Sequence, residues 1–508
     1  MLGPPSGVTN TMSKLLLTGA RVLAPDALSA PFTEILVEDG RIAALLPPGT
    51  QVENAQPFDA SDRLVIPGLV NGHTHGHGGL AKGAGDKWDL ALLLAHAPWV
   101  GGGRNLDDKR LSTTLTAVEM LKKGCTAAFD MPAEFPCPTV DGLDAMAEAY
   151  ATVGLRAVIA PMVADLTFFQ ATPGLLDALP EPHRARAAAM RMARAEDSLA
   201  AIGTAAQAWS HGRRNIRLGC APTIPLHASD EFMQGCRRLS AEYGLRMQTH
   251  VAEARYQAAG GEMRYGGATL LEHMDRLGLV GPWFSVAHGV WLTQSDLDLL
   301  AKRGAGISHN PGANMRLASG IAPVRAALRA GVTVGIGTDG SSSSDNQNMF
   351  EAMRLAAFAS RLWEDATEKE WLGTAETVRL ATAGSSHLVG HDEGGSVAPG
   401  KAADLVLLDL THVNWAPLND AANQLVWTED GSAVTDVMVA GAWKLRDRKV
   451  LGLDERKLAQ EAAAAAERLR GANAEVRAWC HEVAPFVACH CRALSQGWTR
   501  SKRLLRAD

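Results

Sequence analysis

The sequence predicts an α/β fold: a (β/α)8 barrel joined to a small composite β-sandwich domain and followed by a helical C-terminal extension. Three observations support this. Buried-type apolar runs of strand length alternate with amphipathic helical stretches through the middle of the chain. Histidines and an aspartate recur where those runs end, which is where barrel enzymes keep their chemistry. Strands of a different rhythm occupy both ends, so the two ends are expected to pair.

The elements follow in order. Residues 1–11 are rich in Gly, Pro and Ser with no apolar core behind them, and read as a disordered or non-native segment, with Met12 a natural start. Lys14–Ala24 and Glu34–Leu46 read as strands, with Asp39-Gly40 as a hairpin turn. Residues 12–66 and 390–452 are assigned to the β-sandwich domain and 67–389 to the barrel. The eight barrel strands are placed at Leu64–His73, Cys125–Met131, Leu155–Val163, Asn215–Pro222, Leu245–Val251, Trp283–His288, Ala305–His309 and Val332–Asp339. A doubly wound open sheet is the structural alternative. The long interval Asp165–Arg214, with Pro173, Pro180 and Pro182, reads as an insertion near the pocket mouth. Residues 453–508 form the helical extension, with breaks expected near Gly471 and at Pro485.

Composition excludes several classes. With 508 residues, 46% hydrophobic and 20% charged, the chain has ample apolar surface for a large catalytic domain and a satellite. A net charge of −6 offers no global field for nucleic acid or an anionic membrane. No run approaches the ~18 apolar residues of a membrane span. The seven scattered cysteines suit reduced thiols, so a cytoplasmic location is expected.

Five strand ends carry the chemistry. His73 and His75 stand two apart on extended backbone, so both side chains project to one face and can grip one ion. His250 ends another strand with Glu253 three residues on; His288, His309 and Asp339 end three more. Each alone is more often a hydrogen-bonded core residue, but all of them at one barrel rim point to a site. Gly335, Gly337 and Gly340 spell a dinucleotide fingerprint, yet they lie late in the chain and embrace an aspartate that the metal reading needs. Cys480, Cys489, His490 and Cys491 could suggest a second zinc site, but adjacent Cys-His-Cys cannot all face one ion on a regular helix. The basic residues from Arg492 to Arg506 read as a solvated face.

Pro67-Gly-Leu-Val-Asn-Gly-His-Thr-His75, Glu119-Met-Leu-Lys-Lys-Gly-Cys-Thr126, His250-Val-Ala-Glu253, Ala287-His288-Gly, Ser308-His-Asn-Pro, Asn314-Met-Arg-Leu-Ala-Ser-Gly320, Gly337-Thr-Asp339-Gly-Ser and Gly400-Lys-Ala-Ala-Asp-Leu405 together resemble the amidohydrolase superfamily. The branch they are most similar to holds S-adenosylhomocysteine and methylthioadenosine deaminases, guanine deaminase and the triazine hydrolases. The resemblance covers roughly residues 14–450 and implies a metal-dependent barrel. It implies that His73, His75, His250 and Asp339 hold one divalent ion, Zn2+ with Fe2+ as the alternative, since no strand-end lysine is placed to bridge two. It implies that Asp339 accepts a proton from water, that Glu253 shuttles protons and that His288 orients the metal-bound hydroxide. His77, Trp88, Glu134, His309 and Asn314 are expected to contact substrate. His77, Gly78 and Gly79 depart from the branch, which usually has a bulky residue there.

The resulting expectation is an aminohydrolase that attacks an electrophilic ring carbon of an N-heterocycle and releases ammonia. The partner is a small heterocyclic substrate, with neither nucleic acid nor membrane, and the enzyme is expected to be a homo-oligomer. Hydrolysis of an amide, urea or C–halogen bond on the same site is the alternative. A noncatalytic assembly protein on this fold is the alternative of another class.

Overall fold

The computed structural model describes residues 14–212, 215–363, 366–496 and 498. The segment 1–11 and the end of the basic stretch, from 499 on, lie outside them. Eight parallel strands follow one another in chain order: Leu69–Thr74, Cys125–Asp130, Arg156–Ile159, Ile216–Pro222, Arg246–Val251, Phe284–His288, Gly306–His309 and Thr333–Ile336. Their side chains are almost all buried, as a sheet covered on both faces requires. The first and eighth strands meet at a seam where the Asp339 N–H donates to the His73 carbonyl over 2.9 Å. Gly337 allows that approach, because a Cβ there would sit 2.7 Å from the His73 nitrogen. A Cβ on Gly340 would sit 3.0 Å from the His75 Cβ, so these two glycines serve close packing around the histidines.

The expected strand Leu64–His73 is two strands in two sheets. Arg63–Pro67 pairs antiparallel with Leu405–Asp409, and only Leu69–Thr74 enters the barrel. One apolar run thus serves two cores. Leu64, Ile66 and Leu69 pack into the barrel cluster, while Val65 packs with Leu405 and Leu407 in the other. The chain changes sheet at Gly68, where a Cβ would lie 2.1 Å from Thr126 Oγ1. The Leu155–Val163 run also breaks, into Arg156–Ile159 and Met162–Val163, around Pro161, which has no N–H for the ladder.

Two sheets form beside the barrel. One runs Arg41–Leu46, Glu34–Glu38, Lys14–Thr18, Ala55–Asp59; the other runs Lys449–Val450, Ala442–Arg446, Val434–Val439, Leu405–Asp409, Arg63–Pro67, Arg21–Val22. Ala55–Asp59 was not foreseen, since Ala-Gln-Pro-Phe-Asp is largely exposed and carries no alternating pattern. Arg156 ties barrel to sheet through a buried pair with Asp404, Nε to Oδ2 3.1 Å.

The insertion after the third strand folds as short helices, Phe168–Ala171, Leu175–Ala178, His183–Ala189 and Ala195–Ala208. The tail is two helices, Glu455–Ala472 and Ala474–Ser495, meeting at Asn473. The expected break at Pro485 does not occur. Pro485 lies on the exposed face, where water can satisfy the carbonyl of His481 that it leaves without a donor, and packing of the opposite face holds the helix together. That face, with Trp479, Cys480, Val483, Val487 and Cys491, packs on Leu90, Ala91 and Ala95, on Phe168 and Phe169, and on Ala254, Tyr256 and Leu317. These partners belong to loops and helices after the first, third, fifth and seventh barrel strands, so the last helix roofs the barrel mouth. No helix among the described residues is long and apolar enough to cross a membrane.

Candidate active site

Strand register brings His73, His75, His250, His288 and Asp339 together at the carboxyl ends of the strands. His75 Nε2 lies 3.1 Å and His73 Nε2 3.5 Å from Asp339 Oδ1. His250 Nε2 is 3.2 Å from His75 Nε2. His288 Nε2 is 3.7 Å from Glu253 Oε2 and 3.8 Å from Asp339 Oδ2. Among the described residues, the groups of three or more side chains whose ligand atoms approach closely enough to share one ion all lie here: His73 with His75 and Asp339, His73 with His250 and His288, and Glu253 with His288 and Asp339.

The other nitrogen of each ring decides what faces the centre. His73 Nδ1 meets Gln248 Oε1 at 2.7 Å, His75 Nδ1 the Met131 carbonyl at 2.6 Å, His250 Nδ1 the Thr223 carbonyl at 2.6 Å and His288 Nδ1 Asn314 Oδ1 at 2.9 Å. An oxygen acceptor fixes the proton on Nδ1, so every Nε2 presents a lone pair inward. His73 Nε2, His288 Nε2 and Glu253 Oε1 are buried without a hydrogen-bond partner. Buried orphans of this kind are costly unless something absent from the chain satisfies them. Three convergent imidazole lone pairs and a carboxylate fit a divalent transition metal.

Burial and charge set the protonation states. Burial lowers His73 below the usual histidine range. Burial, with His73 and His75 adding, holds His250 well below it. His288 falls to about 4, chiefly through burial. For His75 burial also pulls down, but the Asp339 carboxylate outweighs it and the group is raised. Asp339 is held well below the carboxylate range, because the neighbouring His73 and His75 outweigh its own burial. Glu253 is pushed well above that range by burial and by the charge of Asp339. Two carboxyls in one cavity are thus driven in opposite directions, Asp339 toward the charged form and Glu253 toward the neutral one. Asp339 and His288 hold positive φ, +65° and +71°, conformations that cost free energy and cluster at functional sites.

The other expected contacts divide. Asn314 sits on His288, and His309 is buried beside it with Nδ1 unpartnered. His77 lies next to His75, ring centroids 5.5 Å apart. Trp88 stands farther out, half-buried and stacked on His96 at 4.5 Å. Glu134 is not brought to the centre: its carboxylate is committed to Lys109 and to the N–H and hydroxyl of Thr139.

Sequence reasoning missed the supporting polar groups. Gln248 carries the His73 ring and is itself held by Gly72 and Ser285. Its position two before His250 on the same strand face was a usable signal. Gln347 could not be found that way. It accepts from Thr74 and Thr338 at 2.7 Å each and donates to the Asp339 carbonyl at 2.9 Å, on a loop distant in sequence from the histidines. The cysteines of the tail are free, and His490 Nε2 bonds the Pro173 carbonyl at 2.7 Å.

Fold and site together define a barrel hydrolase that works with a metal ion. The model of the amidohydrolase family matches residues 64–444, and the chain belongs to that family, whose members hydrolyse C–N bonds in a metal-dependent way. It is 35% identical over 455 residues to a 5-methylthioadenosine/S-adenosylhomocysteine deaminase of Haloarcula marismortui, covering 89% of this chain and 97% of that one. It is 32% identical to an 8-oxoguanine deaminase of Pseudomonas aeruginosa, over 86% of this chain and 94% of that one. A crystal structure of an adenosine deaminase from Xanthomonas campestris with bound zinc superposes with a TM-score of 0.78 at 29% identity, covering 90% of this chain and 99% of that one. The noncatalytic alternative predicts missing ligands, whereas the candidate set His73, His75, His250 and Asp339 is complete and its members lie close together.

Proposed function

We propose that the chain is an aminohydrolase that replaces an exocyclic amino group on an electrophilic carbon of a purine, pterin, pyrimidine or triazine-like ring by oxygen, releasing ammonia. The observation that carries this reading is the pairing of an inward-facing His73, His75, His250 and Asp339 set with the buried Glu253 carboxyl, 3.7 Å from His288 Nε2, beside it. Those four residues would hold one ion, Zn2+ with Fe2+ the alternative. When bound, such an ion acts as a Lewis acid and brings the pKa of water down toward ~7.

The chain's own residues then do the following. Asp339, ionised and anchored by its backbone to His73, takes a proton from the attacking water. Glu253 gives its proton to the ring nitrogen next to the attacked carbon; recharged with the proton that Asp339 took from water, it protonates the amine as the C–N bond breaks, and it regains its own proton from the adduct's hydroxyl as the carbonyl forms. His288, fixed by Asn314, holds the water between the two carboxyls by hydrogen bond. Asn314 and His309 shape the inner wall, while His77 and Trp88 lie nearer the mouth. A cytoplasmic location, which seven free cysteines suit, and a homo-oligomeric state belong to the same reading.

The test is a panel of amino-substituted heterocycles offered to zinc-loaded protein, with ammonia and product mass measured. Stoichiometric ammonia with the ring intact supports the proposal. Halide release, or ring-opening without ammonia, replaces it.

A further inference from the structure

His77 is built differently from the four histidines beside it. Its Nδ1 faces a donor, the Ala133 backbone N–H at 3.1 Å, and not an oxygen. Only the tautomer with hydrogen on Nε2 accepts that bond, so His77 carries an N–H on Nε2 where its neighbours carry a lone pair. A ring in this state is not a metal ligand; it is a hydrogen-bond donor. Its Nε2 has no partner among the described residues.

The placement is rigid. The His77 carbonyl is gripped by the Arg104 guanidinium and by Ser112 Oγ, the latter at 2.8 Å. Arg104 also bonds the Val100 carbonyl at 2.9 Å, which leaves its buried Nε–H without a partner and its charge beside His77. The His77 ring stands edge-on to His75, 5.5 Å away and one ring-width outside the ligand set.

We propose that His77, backed by Arg104, is a specificity-determining contact that reads a carbonyl oxygen on the substrate ring, so that oxo-substituted amino-heterocycles are preferred over amino-heterocycles lacking the oxygen. The inference rests on the aminohydrolase reading and narrows it. A carbonyl oxygen carries two lone pairs and partial negative charge, which suits an N–H donor with a cation behind it; a ring nitrogen offers one lone pair and less charge. Removing the oxygen leaves an N–H that the bound substrate covers without a partner, the situation in which binding sites discriminate most strongly.

Matched pairs test it: guanine against 2-aminopurine and isocytosine against 2-aminopyrimidine, with kcat/KM measured on zinc-loaded protein. The oxo member of each pair is expected to be favoured roughly ten- to a hundredfold. In His77→Phe the preference collapses toward unity with zinc content unchanged, and His77→Asn, which keeps an N–H, restores part of it. Imidazole-labelled NMR reads the tautomer directly and expects hydrogen on Nε2. An unaltered preference in His77→Phe, a tautomer with hydrogen on Nδ1, or preferential turnover of aminopurines without a carbonyl overturns the inference and leaves the aminohydrolase reading standing. No ammonia from any heterocycle overturns that reading instead. Calorimetric binding of the same pairs to wild type and His77→Phe then decides the contact by itself, with equal losses for both members counting against it.

Discussion

Glu253 separates the chemistry from the ion. It stands beside the ligand set, and burial keeps its proton on, so Glu253→Gln preserves shape while removing the titratable group. The expected result is a fall in kcat of about 10²–10⁴ with metal content and fold retained, checked by steady-state kinetics and elemental analysis. Retained kcat would remove the proton shuttle from the mechanism. His250→Ala and Asp339→Ala should instead lose the metal, because each deletes one of four ligands. Gln248→Leu probes the support: without Oε1 the His73 ring loses the partner that orients it, and metal affinity should drop about 10–100-fold in a chelator competition. The His-x-His pair was legible because a period of two puts both rings on one face. The tautomers were not, since they depend on carbonyls of Met131 and Thr223 supplied by other strands.

The last helix is the element the sequence misdescribed. Its cysteines and histidine invite a zinc reading, and Pro485 invites a break. In the fold Cys480 and Cys491 are buried in an apolar cluster, Cys489 is exposed and His490 is spent on Pro173. Serine at positions 480, 489 and 491 should leave metal stoichiometry unchanged and lower the thermal midpoint, through the two buried positions. Loss of one zinc equivalent in that variant would reverse the assignment. Proline costs a helix most where the freed carbonyl is buried; here it faces water. The adjacent Cys-His-Cys already argued against one ion, but a single sequence does not say which face of a tail will be covered, so the unbroken helix could not be read from composition.

Across the whole molecule, acid should act through buried neutral histidines. His227, under the insertion after the third strand, is lowered from the usual 6.5 to about 4, chiefly by burial and then by Arg264. Its folded value is depressed, so the unfolded chain takes up the proton first as pH falls. Stability is full above pH 6.5 and is lost progressively down to pH 4. This group contributes a loss of about 2 kcal/mol by pH 5. Thermal or urea unfolding at pH 7.5 and 5 should show that loss in wild type and a smaller one in His227→Gln. Equal losses would assign the acid sensitivity elsewhere.

The chain by itself determined the alternation of buried strand and helix, and with it the barrel, because strands covered on both faces must be apolar throughout. It also marked the strand-end histidines and aspartate as a candidate site, since any one of them could be a hydrogen-bonded core residue but their recurrence at five strand ends of one rim is not explained that way. The tertiary structure decided where one apolar run divides between two sheets at Gly68, for the run looks uniform although its residues face two cores. It decided that Glu134 is bound up in Lys109 and Thr139 while His77 stands against His75 just outside the ligand set, because loop side chains carry no periodicity that would reveal their direction. It also decided which nitrogen of each imidazole holds the proton, a choice made by whichever backbone group the neighbouring strand happens to present.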